Sequence, residues 1–367
     1  MNLPNIRFGF LLLALFVKYC AQVQGERISE TKCEEYRAKT LNKQSTIKLS
    51  ANPTIIDHLS YSCSKTVELI VGGEAAGRRE FPHHAILGWP RKDDTNEYEF
   101  RCGGSLISEW FVLTAAHCFK TTYPKIVRLG EHNLLDKDTY YADFEISEFV
   151  LHPNYDFGRV YYDIALIKLE NKVNFSNHIR PACLWTGTTF NFTKVVATGF
   201  GLDDFGGNRN DVLHKVGLDL LETERCKAQY GSQRTFRKGI VDSQICIGSH
   251  EGNKDTCGGD SGGPVQVVTD LKGCLYHIVG VTSTGSSCGK APGIYTRVSS
   301  FIDWIENMKL VNRSENNVRT RRHTSKRSVS EAKALTVGYQ TQFKDLLTLQ
   351  KVLASRRGGA AGEWDEK

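Results

Sequence analysis

Three polar residues sit in short motifs whose types and order suggest one reaction. They are His117 in Leu-Thr-Ala-Ala-His-Cys, Asp163 in Asp-Ile-Ala-Leu-Ile-Lys-Leu and Ser261 in Gly-Asp-Ser-Gly-Gly-Pro. A serine hydroxyl is a weak nucleophile until an adjacent base takes its proton. His117 is that base, and it can return the proton to a leaving amine. Asp163 would hold the imidazole in the right tautomer and stabilise the imidazolium. The chain order His, Asp, Ser is one of the known orders for such a triad. Backbone N–H groups of Gly259 and Ser261 are the candidate donors for the charge that develops on a carbonyl oxygen. A lone histidine or aspartate is usually structural, so the weight rests on the three motifs together.

Together these motifs resemble the trypsin-like serine proteases of the chymotrypsin family, over residues 70–310. The resemblance implies an all-β fold of two packed six-stranded antiparallel β-barrels with a C-terminal helix. It places Asp255, six residues before Ser261, at the bottom of the primary pocket. A buried carboxylate needs a cationic partner, and a substrate Arg or Lys would supply it. Gly285 and Gly293 match the pocket walls, so cleavage after Arg or Lys is expected, and Ser283 matches the position that supports the triad and faces the substrate. Thr284 stands where the family usually has an aromatic residue.

Ile70-Val-Gly-Gly resembles the N-terminus of the active family members. There, a newly freed amine pairs with the Asp before the nucleophile, here Asp260, and orders the oxyanion loop. Residues 26–69 would then be a propeptide and the chain a zymogen. The residue before the cut is Leu69, which a protease with Asp255 in its pocket should not cut efficiently. The expected activator is therefore another protease that cuts after Leu. Leu-Ile-Val-Gly-Gly, Glu80-Phe-Pro-His, Leu-Gly-Trp89 and Arg180-Pro-Ala-Cys-Leu-Trp185 resemble the snake-like subgroup of arthropod clip-domain proteases. A clip domain needs six cysteines, and only Cys33 and Cys63 precede the cut after the leader. The subgroup implies an extracellular cascade of immunity or development. Its partners would be protein substrates such as a downstream zymogen, an upstream protease and a serpin-type inhibitor. The alternatives are a digestive or venom trypsin of broad specificity, a non-catalytic protease-binding cofactor, and a polyanion-binding protein acting through its tail.

The elements that must position these residues are mostly strands. Short apolar runs such as HAILGW, WFVLTAA, IALIKL, VVATGFG, PVQVV, YHIVGVTS and GIYTRV recur between turn residues through 70–310. One stretch, SSFIDWIENMKL, has helical spacing behind Ser300 as N-cap. Residues 26–69 are polar, show little periodicity and are too short to bury much core.

The chain has 367 residues and 11 cysteines. Residues 8–17 are an apolar run of ten after Arg7, with Val23 and Gly25 suiting a cleavage site. This reads as a signal peptide over 1–25, too short to span a bilayer. Cys20 leaves with it, and ten cysteines in a secreted chain suggest five disulfides. The family resemblance implies Cys102–Cys118, Cys226–Cys246 and Cys257–Cys288. The remaining four allow three pairings, of which the resemblance favours Cys63–Cys183 with Cys33–Cys274. Asn174, Asn191 and Asn312 open glycosylation sequons.

The net charge of +6 is carried by residues 311–367, which hold 12 Lys and Arg against 6 Asp and Glu. That segment reads as a basic, flexible tail, and the neutral remainder argues against a nucleic-acid binder. No second run is long enough for a membrane anchor. No cofactor is expected. A calcium loop after Gly130-Glu131-His132-Asn133, using Asp136, Asp138 and Asp143, competes with the commoner reading of scattered surface acids.

Overall fold

The computed structural model describes residues 27–48, 54–61, 73–92, 97–136, 140–202, 209–250, 259–270, 275–285 and 291–308. Helix α1 (Ile28–Thr40) opens the described chain and leads into a hairpin of β1 (Leu41–Lys48) and β2 (Thr54–Tyr61). The polar composition of this segment concealed both elements. Helix α1 carries Cys33 and Tyr36, 6% and 5% exposed, against the body. Cys33 is bonded to Cys183 in β10 (Cys183–Leu184), and Tyr36 donates to Glu109 at 2.9 Å. Arg27 pairs with Asp303 at 2.8 Å, and Ser29 donates to Glu306 at 2.7 Å.

The expected pairings Cys63–Cys183 and Cys33–Cys274 are therefore corrected: Cys183 takes Cys33. The physical reason is the helix, which brings Cys33 beside β10 with a Cα–Cα distance of 5.1 Å. Cys63 and Cys274 lie outside the described residues. The Arg27–Asp303 pair is exposed and worth at most about 1 kcal/mol. The disulfide closes a separation of 150 residues, worth about 5 kcal/mol by loop-closure entropy. The covalent link, not the ion pairs, dominates the attachment of α1.

The first barrel closes in the order β4 (His84–Pro90), β5 (Tyr98–Leu106), β6 (Phe111–Thr114), β9 (Ala165–Leu169), β8 (Ala142–Leu151), β7 (Ile126–Leu129). Leu87, Leu106, Leu113, Leu129 and Leu166 fill it with no exposure. The second uses β11 (Lys194–Gly199), β12 (His214–Leu220), β13 (Gln244–Gly248), β16 (Gly293–Arg297), β15 (Leu275–Thr284) and β14 (Pro264–Asp270). Pairing of β15 with β16 closes that ring. Its core includes Val195, Leu218, Ile247, Val265, Val279 and Tyr295. The expected two-barrel fold is thus observed. β10 adds to β15 in parallel, and β3 (Glu74–Ala75) pairs with β12. Lys215 binds Glu80 at 2.8 Å and Glu74 at 3.0 Å, fixing the chain just after the expected cut onto the second barrel.

The expected helix near the C-terminus is present at 302–308, but it is not the only one. Besides α1, helix α2 (Thr223–Tyr230) buries Cys226 and Tyr230, and Cys226 is bonded to Cys246 in β13.

Candidate active site

The site is built where the ends of strands from both barrels meet. Strand β6 ends at Thr114, and Ala115 is extended before the short turn Ala116–Phe119 that carries His117. Cys118 is bonded to Cys102 in β5, so His117 is held between a strand end and a disulfide. Asp163 precedes β9 and is 3% exposed. Tyr162, just before it, is left-handed with φ 57°. A bulky residue rarely adopts that conformation.

The His117 ring Nδ1 meets Asp163 Oδ2 at 2.8 Å, and the His117 backbone N–H donates to Oδ1 at 2.8 Å. The Ser283 hydroxyl donates to Oδ2 as well. Ser283 sits at a register shift between Thr282 and Thr284, where β15 leaves its ladder with β16. Such a bulge re-aims a side chain. Thr296 in β16 donates its hydroxyl to the Asp163 carbonyl at 2.8 Å. Sequence reasoning missed Thr296, because a single threonine in a strand carries no pattern.

Burial alone would push the Asp163 carboxyl up. The charge and hydrogen bonds of His117, with those of Ser283, reverse this and hold it below its ordinary value. Burial likewise pulls His117 down, but the Asp163 charge and hydrogen bond prevail and its pKa is raised. Each partner thus steadies the charged form of the other.

Ser261 lies on a turn stitched to both barrels. The Gly103 N–H donates to the Ser261 carbonyl, and the Gly262 N–H to the Thr282 carbonyl, each at 2.8 Å. Gly103 follows Cys102, whose partner Cys118 is next to His117, and Thr282 precedes Ser283. The Cys118 sulfur lies 3.8 Å from the Ser261 carbonyl oxygen. Gly262 has φ +77°, and a Cβ there would lie 2.2 Å from Thr114 Oγ1. Gly259 has φ +107°. Only glycine meets these two demands readily. The tight turn Asp260–Gly263 closes by a Gly263 N–H bond to the Asp260 carbonyl at 2.8 Å. The Gly201 N–H, two residues beyond the end of β11, donates to Asp260 Oδ1 at 2.9 Å.

Gly285 and Gly293, the expected pocket walls, flank the loop that joins β15 to β16; Gly285 is exposed and Gly293 buried. Asp255, Leu69, Ile70, Cys257, Cys288 and Asn312 fall outside the described residues, as do the expected leader over 1–25 and the tail from 309. Asn174 and Asn191 are exposed. No helix among the described residues is long and apolar enough to cross a membrane.

Two of the three candidate acids of the calcium loop, Asp136 and Asp143, are already engaged. Arg128 binds Asp143 through Nε at 2.7 Å and Nη2 at 2.9 Å, and it reaches Glu131 at 3.3 Å. Glu131 Oε1 also accepts the His132 N–H at 3.0 Å. Asp136 pairs with Arg78 at 2.8 Å. Asp138 lies outside the described residues.

A family profile described as Trypsin matches residues 70–305. The chain is 40% identical to serine protease snk of Drosophila melanogaster, over 77% of this chain and 65% of that protein. It is 40% identical to serine protease Hayan of the same organism, over 65% of this chain and 38% of the relative. It is 34% identical to phenoloxidase-activating factor 1 of Holotrichia diomphalia, over 68% and 72%. The chain therefore spans just under two thirds of snk and well under half of Hayan.

Proposed function

The chain belongs to the trypsin family, and from that premise we propose that it is a secreted serine endopeptidase made as a zymogen. The carrying observation is the buried Asp163, whose two oxygens hold the His117 ring and backbone while Ser283 supports one of them. In the proposed reaction Ser261 attacks a peptide carbonyl as His117 takes its proton. The Gly259 and Ser261 N–H groups receive the oxyanion. His117 then protonates the leaving amine, and water completes hydrolysis by the reverse roles. Asp255 gives preference for Arg and Lys.

Activation is proposed at Leu69–Ile70 by another protease, after which the Ile70 amine pairs with Asp260. In the uncut chain that nitrogen is a peptide N–H and carries no charge. The turn at Asp260–Gly263 and its contact with Gly201 give the amine a carboxylate to reach. Placement in an extracellular cascade rests on the similarity to phenoloxidase-activating factor 1 and on three disulfides among the described residues. A downstream zymogen as substrate and a serpin-type inhibitor as regulator belong to the same reading.

A direct assay is available. With Lys65–Leu69 replaced by the site of an added protease, the cut chain should hydrolyse Arg and Lys peptide substrates and leave Phe and Leu substrates intact. Equal turnover of all four would favour a broad digestive enzyme. No turnover from a folded, cut chain would favour a binding protein.

Three expected results follow from particular residues. Purified zymogen incubated alone should stay uncut, whereas Leu69→Arg should convert itself, with a rate that rises with protein concentration. Persistent stability of that variant would contradict the Arg preference.

The cut protein should run as one species without reductant and as two with it, because Cys33–Cys183 retains α1. We pair the remaining Cys63 and Cys274 with each other. Two species without reductant would refute this tether.

The Arg128 guanidinium already occupies Glu131 and Asp143, so chelator should leave activity and the unfolding midpoint unchanged. A fall in either, restored by calcium, would mean a bound ion is needed.

A further inference from the structure

Helix α1 does more than cover the body: it forms one wall of a basic groove. Arg37 and Lys39 from α1, Arg79 from the loop before β4, and Arg180 from the loop before β10 all line it. Some of this charge is compensated. Arg37 pairs with Glu34 at 3.4 Å and Lys39 with Glu109 at 3.5 Å. Among the described residues no carboxylate pairs with Arg79 or Arg180. Arg180 rests on neutral oxygens, donating to the Ser176 carbonyl at 3.0 Å and to Asn177 Oδ1.

Like charges crowd here. Burial and the charge of Arg79 both lower the pKa of Arg180. His178 is held down by burial and then by Arg79, Arg78 and Arg180. Arg79 is also left-handed, with φ 65°. A non-glycine residue pays for that conformation, and such strain gathers at ligand-holding positions. Tyr36, Phe175 and Tyr276 line the same groove; Phe175 is half-buried, and the two tyrosines are buried. Tyr36 and Phe175 meet edge to face, with centroids 5.4 Å apart.

We propose that this groove binds a sulfated polysaccharide, with Arg79 and Arg180 gripping sulfate groups and the half-buried Phe175 ring packing against a sugar face. A guanidinium fork matches the tetrahedral oxygens of sulfate and can engage two at once. A phenylalanine ring offers a flat apolar face. Since Cys33–Cys183 retains α1, the groove persists after a cut at residue 69. The site would hold zymogen and cut enzyme alike on a polyanionic matrix.

The test uses the full chain after enzymatic removal of N-glycans, so that sugar on neighbouring Asn174 cannot shield the groove. The probe is a heparin-derived hexasaccharide, titrated by calorimetry at low and high salt. Wild type should bind, and more weakly as salt screens the charges. Arg79→Ala should weaken binding about tenfold, the loss of one charge-assisted contact. Arg79 is exposed, so its removal should leave the unfolding midpoint in place. Adding Arg180→Gln should weaken binding further; if that variant folds poorly, Arg79→Ala decides alone. Alanines at Arg319, Arg321, Arg322, Lys326 and Arg327 should leave the groove's binding in place. Absence of binding would overturn the proposal, as would loss only in the tail variant. Equally tight binding of a poly-glutamate peptide would also overturn it, since charge alone would then suffice.

Discussion

Ser261→Ala in the cut protein is expected to lower kcat by about a millionfold, to the residual rate left by binding and oxyanion donors. The reason is that no neighbouring group can replace the hydroxyl. Asp163 and Ser283 are committed to His117 and to each other. The turn holding residue 261 is fixed by backbone bonds from Gly103 and Gly262, which alanine leaves intact. KM should therefore change little, and the unfolding midpoint should stay put. A fall of only tenfold, with the fold preserved, would mean that another residue carries the nucleophilic step.

Asp163→Asn should cost about ten-thousandfold in kcat, because the amide favours the wrong imidazole tautomer. It also has a pH signature. His117 must be neutral to accept the serine proton, so kcat/KM should rise with pH as the ring deprotonates. Burial lowers the His117 pKa, while the Asp163 charge and hydrogen bond raise it beyond the ordinary 6.5. The wild-type acid limb should therefore lie above 6.5. With the charge gone, burial remains and the limb should move to lower pH. Ser283→Ala removes one bond to the same carboxylate and should shift the limb the same way by less. An unmoved limb in Asp163→Asn would show that the kinetic base is not His117.

The strands and the turns that carry His117, Asp163 and Ser261 were mostly legible because each motif joins residue types to a local shape. The runs HAILGW, IALIKL and YHIVGVTS lie within β4, around β9 and within β15, and Ser283 falls near the end of the last. Thr296 was not legible, since its value lies in a contact 133 positions away. Helix α1 was missed for a related reason. Its apolar contacts are few, and it is held by Cys33 and by polar bonds to Glu109 and Glu306 rather than by a greasy face. The same omission misassigned Cys33, because cysteine spacing cannot say which strand a helix will meet. Arg128 shows the limit for acids. Asp143 looked like an oxygen ligand awaiting a cation, and a guanidinium from β7 is already bound to it.

The most direct test is covalent labelling of Ser261 before and after cleavage at residue 69. Chains carrying the engineered cut site in place of Lys65–Leu69 would be treated with a serine-directed phosphonate bearing an arginine-like side chain, and with one bearing a phenyl side chain. Mass and peptide mapping would follow. A single adduct on Ser261 is expected, formed by the cut chain, slow in the uncut chain, and faster with the arginine-like reagent. A folded, cut chain that takes up no label at Ser261 would contradict it.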